Sequence, residues 1–239
     1  MTADPPLDPP PAAHSEHHHG DVSGGWLRAA VFGAMDGLVT NIALIAGVGG
    51  GGIAPQAIVL TGASGLVAGA ISMALGEYTS VRTQNEQLDF ELAKERVELR
   101  RHPEAEAAEL AESWIARGLP ADLAYEVATR IAANEEEALR VHAQEELGLD
   151  PFEKPSPMVA AVSSFVCFSI GALVPLLPYL LGATVLWPAL AAGAVGLFVA
   201  GALVSRFTTR PWWFNGLRQL AFGALAAGAT YLIGWWIGA

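Results

Sequence analysis

Residues 29–48 read AAVFGAMDGLVTNIALIAGV, an apolar run of the ~20 residues that a ~30 Å hydrocarbon core demands. One carboxylate, Asp36, interrupts it. A charge at that depth costs roughly 2.5–3.5 kcal/mol on insertion scales, so such a residue faces a pathway or a partner instead of lipid. Four more stretches of spanning length follow, at residues 57–75, 158–181, 183–204 and about 221–237. The chain has 239 residues, 52% of them hydrophobic and only 15% charged, which is too apolar for a soluble domain of this size. The expectation is an all-α membrane protein with five transmembrane helices.

Lys and Arg collect on the cytoplasmic side of such proteins, and all thirteen obey one topology with the N-terminus inside. Arg28 precedes the first span, nine lie between the second and third, and Arg206, Arg210 and Arg218 lie between the fourth and fifth. The loops GGGGIAPQ and LLGAT and the C-terminal tail carry none. The C-terminus is then outside, with Trp235 and Trp236 in an aromatic belt. Four regions result: a His-containing cytoplasmic tail (1–25) that reads as disordered, two spans (26–82), an acidic cytoplasmic helical domain (83–153) and three spans (154–239).

The net charge of −11 belongs to the insert, where residues 86–153 hold eighteen acidic and seven basic side chains. A module of that kind repels nucleic acid and attracts cations. A single cysteine, Cys167, excludes a disulfide framework and any thiolate zinc cluster. The first 26 residues lack the basic and short apolar regions of a signal peptide. Four histidines among them, His14, His17, His18 and His19, form a short tract that could capture metal loosely.

Within the insert the pattern turns amphipathic. A first helix continues from the second span to Arg101, Pro103 opens a second that ends at Gly118, Pro120 opens a third, and a last helix stops at Gly148. Glu91, Glu95 and Glu98 form a stripe on the first helix; Glu106, Glu109 and Glu112 form another on the second. The short HPEAE connection makes these helices an antiparallel hairpin that could bring Glu95, Glu98, Glu106 and Glu109 together. Such stripes are most often solvated faces. His142 and Glu146, four apart on the last helix, could complete a site, since imidazole and carboxylate together suit Fe, Mn and Zn.

Depth in the membrane follows from 1.5 Å per residue. Counted from Arg28, Asp36 lies ~12 Å in; counted from Arg82, Met73 lies ~13.5 Å in. One hard oxygen and one soft sulfur at a common level would suit Fe(II) better than Mg(II) or Ca(II). Taken alone, Met73 reads as core packing. Thr40 and Asn41 add polar atoms nearby, and Glu77 stands where an ion would enter or leave. Gly33, Gly37, Gly65 and Gly69 should mark helix contacts, within or between subunits. Pro175 and Pro178 should kink or end the third span.

Four segments in order, MDGLVTNIALIAGVGG (35–50), GAISMALGEYTSVRTQNE (69–86), EELGLDP (145–151) and SFVCFSIGALVPLLPYLL (164–181), resemble the vacuolar iron transporter family in its prokaryotic form with a cytoplasmic metal-binding domain. The resemblance covers nearly everything from about residue 23. It implies a homodimer whose subunits line an ion path, proton-coupled export of Fe2+ from the cytoplasm, Mn2+ as an alternative cargo with Zn2+ a further candidate, and a bacterial plasma membrane as host. The family's path residues fall on Asp36 and Met73, and its metal-domain glutamates on Glu95, Glu98, Glu106, Glu109 and Glu146. His142 replaces the methionine common in the family. The competing classes are a membrane-held metal buffer or sensor and a di-iron ferroxidase. The enzyme needs Glu-x-x-His on two bundle helices, and the only such spacing is Glu16 to His19 in the tail, so no enzyme is expected.

Overall fold

The structure is a computed structural model that describes residues 25–148, 150–151 and 153–238. The tail histidines lie outside these residues. The described residues are helical with no strand: α1 (Trp26–Gly50), α2 (Pro55–Arg101), α3 (Pro103–Ala116), α4 (Ala121–Ala132), α5 (Glu135–His142), α6 (Pro157–Leu180), α7 (Trp187–Val204) and α8 (Trp212–Gly238). A π-helical turn, Ala143–Leu147, prolongs α5, and a short 3-10 turn, Ser205–Phe207, prolongs α7. Five helices, α1, α2, α6, α7 and α8, are long and apolar enough to cross a membrane.

The centre of the bundle is α1, which packs on α2, α6, α7 and α8. Glycine permits this crowding. A Cβ on Gly37 would overlap the Phe168 carbonyl oxygen, and one on Gly171 would overlap the Ala34 carbonyl, so the backbones of α1 and α6 touch. On the opposite side Gly234 of α8 lies against the Gly47 carbonyl, and the Thr230 hydroxyl donates to the Ala43 carbonyl at 2.6 Å. Gly33 faces Ser164, Gly65 faces Leu44, and Gly69 faces the Phe168 ring. All four glycines singled out from sequence are therefore used inside one chain.

α6 ends at Leu180, two residues after Pro178, and Asn41 Nδ2 ties α1 to it by donating to the Ala172 carbonyl at 2.5 Å. One boundary differs from expectation. The last span begins at Trp212, nine residues before the apolar run does, because a helix tolerates Asn215, Arg218 and Gln219 that a hydropathy window rejects.

Beyond Val81, which packs on Ala29 and Ala160, the helix α2 carries on out of the bundle and becomes the first helix of the four-helix insert. Leu92 and Leu99 pack on Ala138, Leu139 and Ala143; Leu110 and Ala111 pack on Ala124 and Ala128; Ile131 touches both clusters. Asn134 caps α5 by accepting from the Glu136 and Glu137 amides, and three glutamates in that first turn suit the helix dipole. Gly148, at φ 67°, closes the π turn in a conformation that favours glycine.

Candidate metal centre

Helix α2 supplies Glu95, α3 supplies Glu106, and α5 with its π turn supplies His142 and Glu146. One ligand atom from each lies within 4.8 Å of all the others. His142 is the hub: its Nδ1 is 3.3 Å from Glu95 Oε1, 3.4 Å from Glu146 Oε1 and 3.8 Å from Glu106 Oε2. Its side chain is 4% exposed, and those of Glu95 and Glu106 are 15% and 14% exposed. The hairpin read from HPEAE is what brings α2 and α3 alongside each other, and the Leu139 core turns the His142 face inwards.

Three carboxylates around one ring leave too few donors. Glu95 Oε1 is buried without a hydrogen bond of acceptable geometry. Burial, followed by the charge of Glu146, pushes the Glu95 carboxyl up to about 7, with Glu106 and Glu109 adding to the rise and His142 opposing it. Burial likewise raises Glu106. A divalent cation would reverse both shifts, and three oxygens with one imidazole nitrogen is a set that suits Fe(II), Mn(II) or Zn(II).

The remaining expected ligands stand outside this group of four. Glu91 and Glu98 line a cavity of about 500 Å³ that also reaches Phe90, Lys94, Glu95 and Glu146, and Glu91 is paired with Lys94 at 2.7 Å. Glu109 is close enough to raise both Glu95 and Glu106.

In the bundle, Asp36 is partly exposed and accepts from Thr40 Oγ1 at 3.2 Å. Asn41, at 1% exposure, joins α1 to α6, and its Oδ1 has no partner. Met73 packs against Ala70, Phe168 and Ala172. Glu77 is 7% exposed and holds Arg28 at 2.9 Å, a partner that sequence reading had used only for orientation and depth. This pair and the approach of Asn41 Oδ1 to Gly62 and Gly65 set the register of α1 against α2. Leu44 against Gly65 and Ala29 with Val81 extend the same antiparallel contact along both helices.

Sequence reading also missed Trp114, Arg117 and Glu145. Trp114 Nε1 donates to Glu145 Oε1 at 3.2 Å and Arg117 Nη1 to the same oxygen at 2.9 Å, while Arg117 Nη2 pairs with Oε2. The adjacent pair Glu145–Glu146 was the available signal, with one carboxylate per face of the turn.

Five helices long and apolar enough to cross a membrane define a multi-pass membrane protein, and the carboxylate–imidazole cluster around buried His142 could hold a metal ion. The VIT family model matches residues 27–235, and the chain belongs to the VIT family. It is 35% identical over 231 residues to a vacuolar iron transporter of Acanthamoeba castellanii, covering 94% of this chain and 84% of that one. It is 34% identical over 230 residues to vacuolar iron transporter 1 of Oryza sativa subsp. japonica, covering 92% and 90%. Vacuolar iron transporter homolog 4 of the same plant is 58% identical over 73 residues, 30% of this chain and 32% of that one. These names describe transporters, not enzymes.

Proposed function

We propose that this protein is a transmembrane transporter of divalent metal, with Fe2+ as principal cargo and Mn2+ as an alternative, that exports metal from the cytoplasm in exchange for protons. The observation that carries the reading is the cluster of Glu95, Glu106, His142 and Glu146 on a domain joined to the bundle by an unbroken helix. The cluster captures the ion on the cytoplasmic side, with Glu91, Glu98 and Glu109 extending its negative field. Asp36 then takes the ion within the membrane and returns a proton, aided by Thr40; Met73, Glu77 and Asn41 border the same route. An intramembrane carboxylate is the group that can carry either charge.

The glycine faces are filled within one chain, so we assign the homodimer contact to the exposed side of α2 that includes Leu60, Val67, Ile71 and Leu75. The test is flux into proteoliposomes, with Fe2+, Mn2+, Zn2+ and the pH gradient varied independently. Metal movement coupled to proton counterflow is expected. Binding without flux under every gradient would leave a membrane-held metal buffer, the reading that the apolar packing of Met73 favours.

A further inference from the structure

Glu145 and Glu146 are neighbours, yet they do opposite things. Glu146 reaches His142 at 3.4 Å and is 44% exposed. Glu145, 21% exposed, spends both oxygens on Trp114 and Arg117 of the α3 end. These contacts hold its carboxyl below the usual carboxylate range, with the Arg117 hydrogen bond contributing most and Trp114 next. The two glutamates stand on the π turn, whose i→i+5 bonding makes a wider turn than an α-helix and is frequent at functional sites. The turn has no proline, and its glycine stop comes only at Gly148. Ala143 seats the turn on the Leu92 and Leu139 core, Gln144 reaches Asp150, and α3, which contributes Glu106 near its start, meets Glu145 at its end.

We propose that Trp114 and Arg117 are positioning residues that decide which of the two glutamates enters the metal centre. By anchoring Glu145 outside, they hold the π turn in the rotation that places Glu146 beside His142. The inference rests on the metal-centre reading above. A bidentate arginine–carboxylate pair suits such a role because it fixes direction as well as distance, and partners that orient ligands are worth roughly 10–100-fold in metal affinity.

The experiment titrates Co2+ alone into the full-length protein in detergent and follows both affinity and the visible ligand-field bands, which report ligand geometry. Arg117→Gln is expected to weaken binding about tenfold and shift the bands, and Arg117→Lys to recover part of both. Trp114→Phe keeps the ring bulk while removing the donor, and should give a smaller change of the same kind, so the test survives if the arginine variant folds poorly. The deciding measurement is a cycle with Glu146→Gln: that change should cost much less in the Arg117→Gln background than in the native one. Equal costs in the two backgrounds, or unchanged bands in all three variants, overturns the positioning role. Native protein without Co2+ binding, or with binding unaffected by Glu95→Gln and Glu106→Gln together, overturns the metal centre itself.

Discussion

Between α1 and α6 the chain removes side chains until backbone meets backbone at Gly37 and Gly171; between α2 and α5 it keeps Leu92, Leu99 and Leu139 as spacers and leaves carboxylates between the helices. The difference follows from the two solvents. Lipid offers no gain for burying leucine, so helices there associate by close contact and a few hydrogen bonds. In water the leucines supply cohesion, and that cohesion offsets the repulsion of Glu95, Glu106 and Glu146. Polar groups follow the same division. Among the described residues the bundle sets Asp36 on Thr40 and pairs a buried Glu77 with an exposed Arg28, whereas the domain concentrates its charge around His142.

The comparison breaks most completely at Gly37. Gly37→Val forces α1 and α6 apart and should destabilise the bundle by about 3 kcal/mol or more, with loss of monodisperse protein on size exclusion, while Gly76→Val, which meets nothing within 4 Å, should leave it intact. Next comes Asp36→Asn, which should abolish metal flux into proteoliposomes and leave Co2+ binding at native affinity; retained flux would remove Asp36 from the route. The reverse pattern is expected of Glu95→Gln with Glu106→Gln: calorimetric binding falls by about a hundredfold with the bundle's thermal transition unmoved.

A smaller effect sharpens the contrast through pH. The Glu95 carboxyl sits at about 7 against an ordinary 4.5, so its proton must leave when metal enters, and affinity should drop as pH falls below about 7. Without metal the sign is opposite for stability: the raised value favours the folded state fully below about pH 4.5, and that contribution is lost as pH rises towards about 7. Unfolding midpoints in chelator across that window check it, and Glu95→Gln should flatten both slopes. The smallest change expected is Arg130→Ala, which removes an exposed pair with Glu126 worth about 0.3 kcal/mol and should alter neither binding nor flux.

Much of this was legible because its determinants are local. Apolar length gave the five spans, and Pro103, Gly118, Pro120 and Gly148 marked the domain's helices near their observed ends. Spacing brought Glu95, Glu106, His142 and Glu146 onto facing surfaces, since a short hairpin has few alternatives. It could not exclude Glu98 and Glu109 from the tight group, because helix rotation is set by the Leu99 and Leu110 cores rather than by the stripes. Long-range pairing was equally hidden: the Arg28–Glu77 pair joins positions 49 apart. The π turn left no trace in the sequence, and its Glu145 is met by Trp114 and Arg117 from the end of another helix.

Helix α2 runs 47 residues without interruption, about 70 Å, and from Glu77 to Arg101 contains neither glycine nor proline. A rod of that kind has no joint. A flexible linker would let the acidic domain settle around an ion and absorb the movement locally, but a stiff beam shared by two media carries a tilt at one end to the other as a swing. Glu95 and Glu77 ride on the same beam, eighteen residues apart, so any rearrangement that draws Glu95 towards a bound cation also loads the Arg28–Glu77 clasp. Movements of Glu95 and of Glu77 are thereby geared together by the stiffness of a single element.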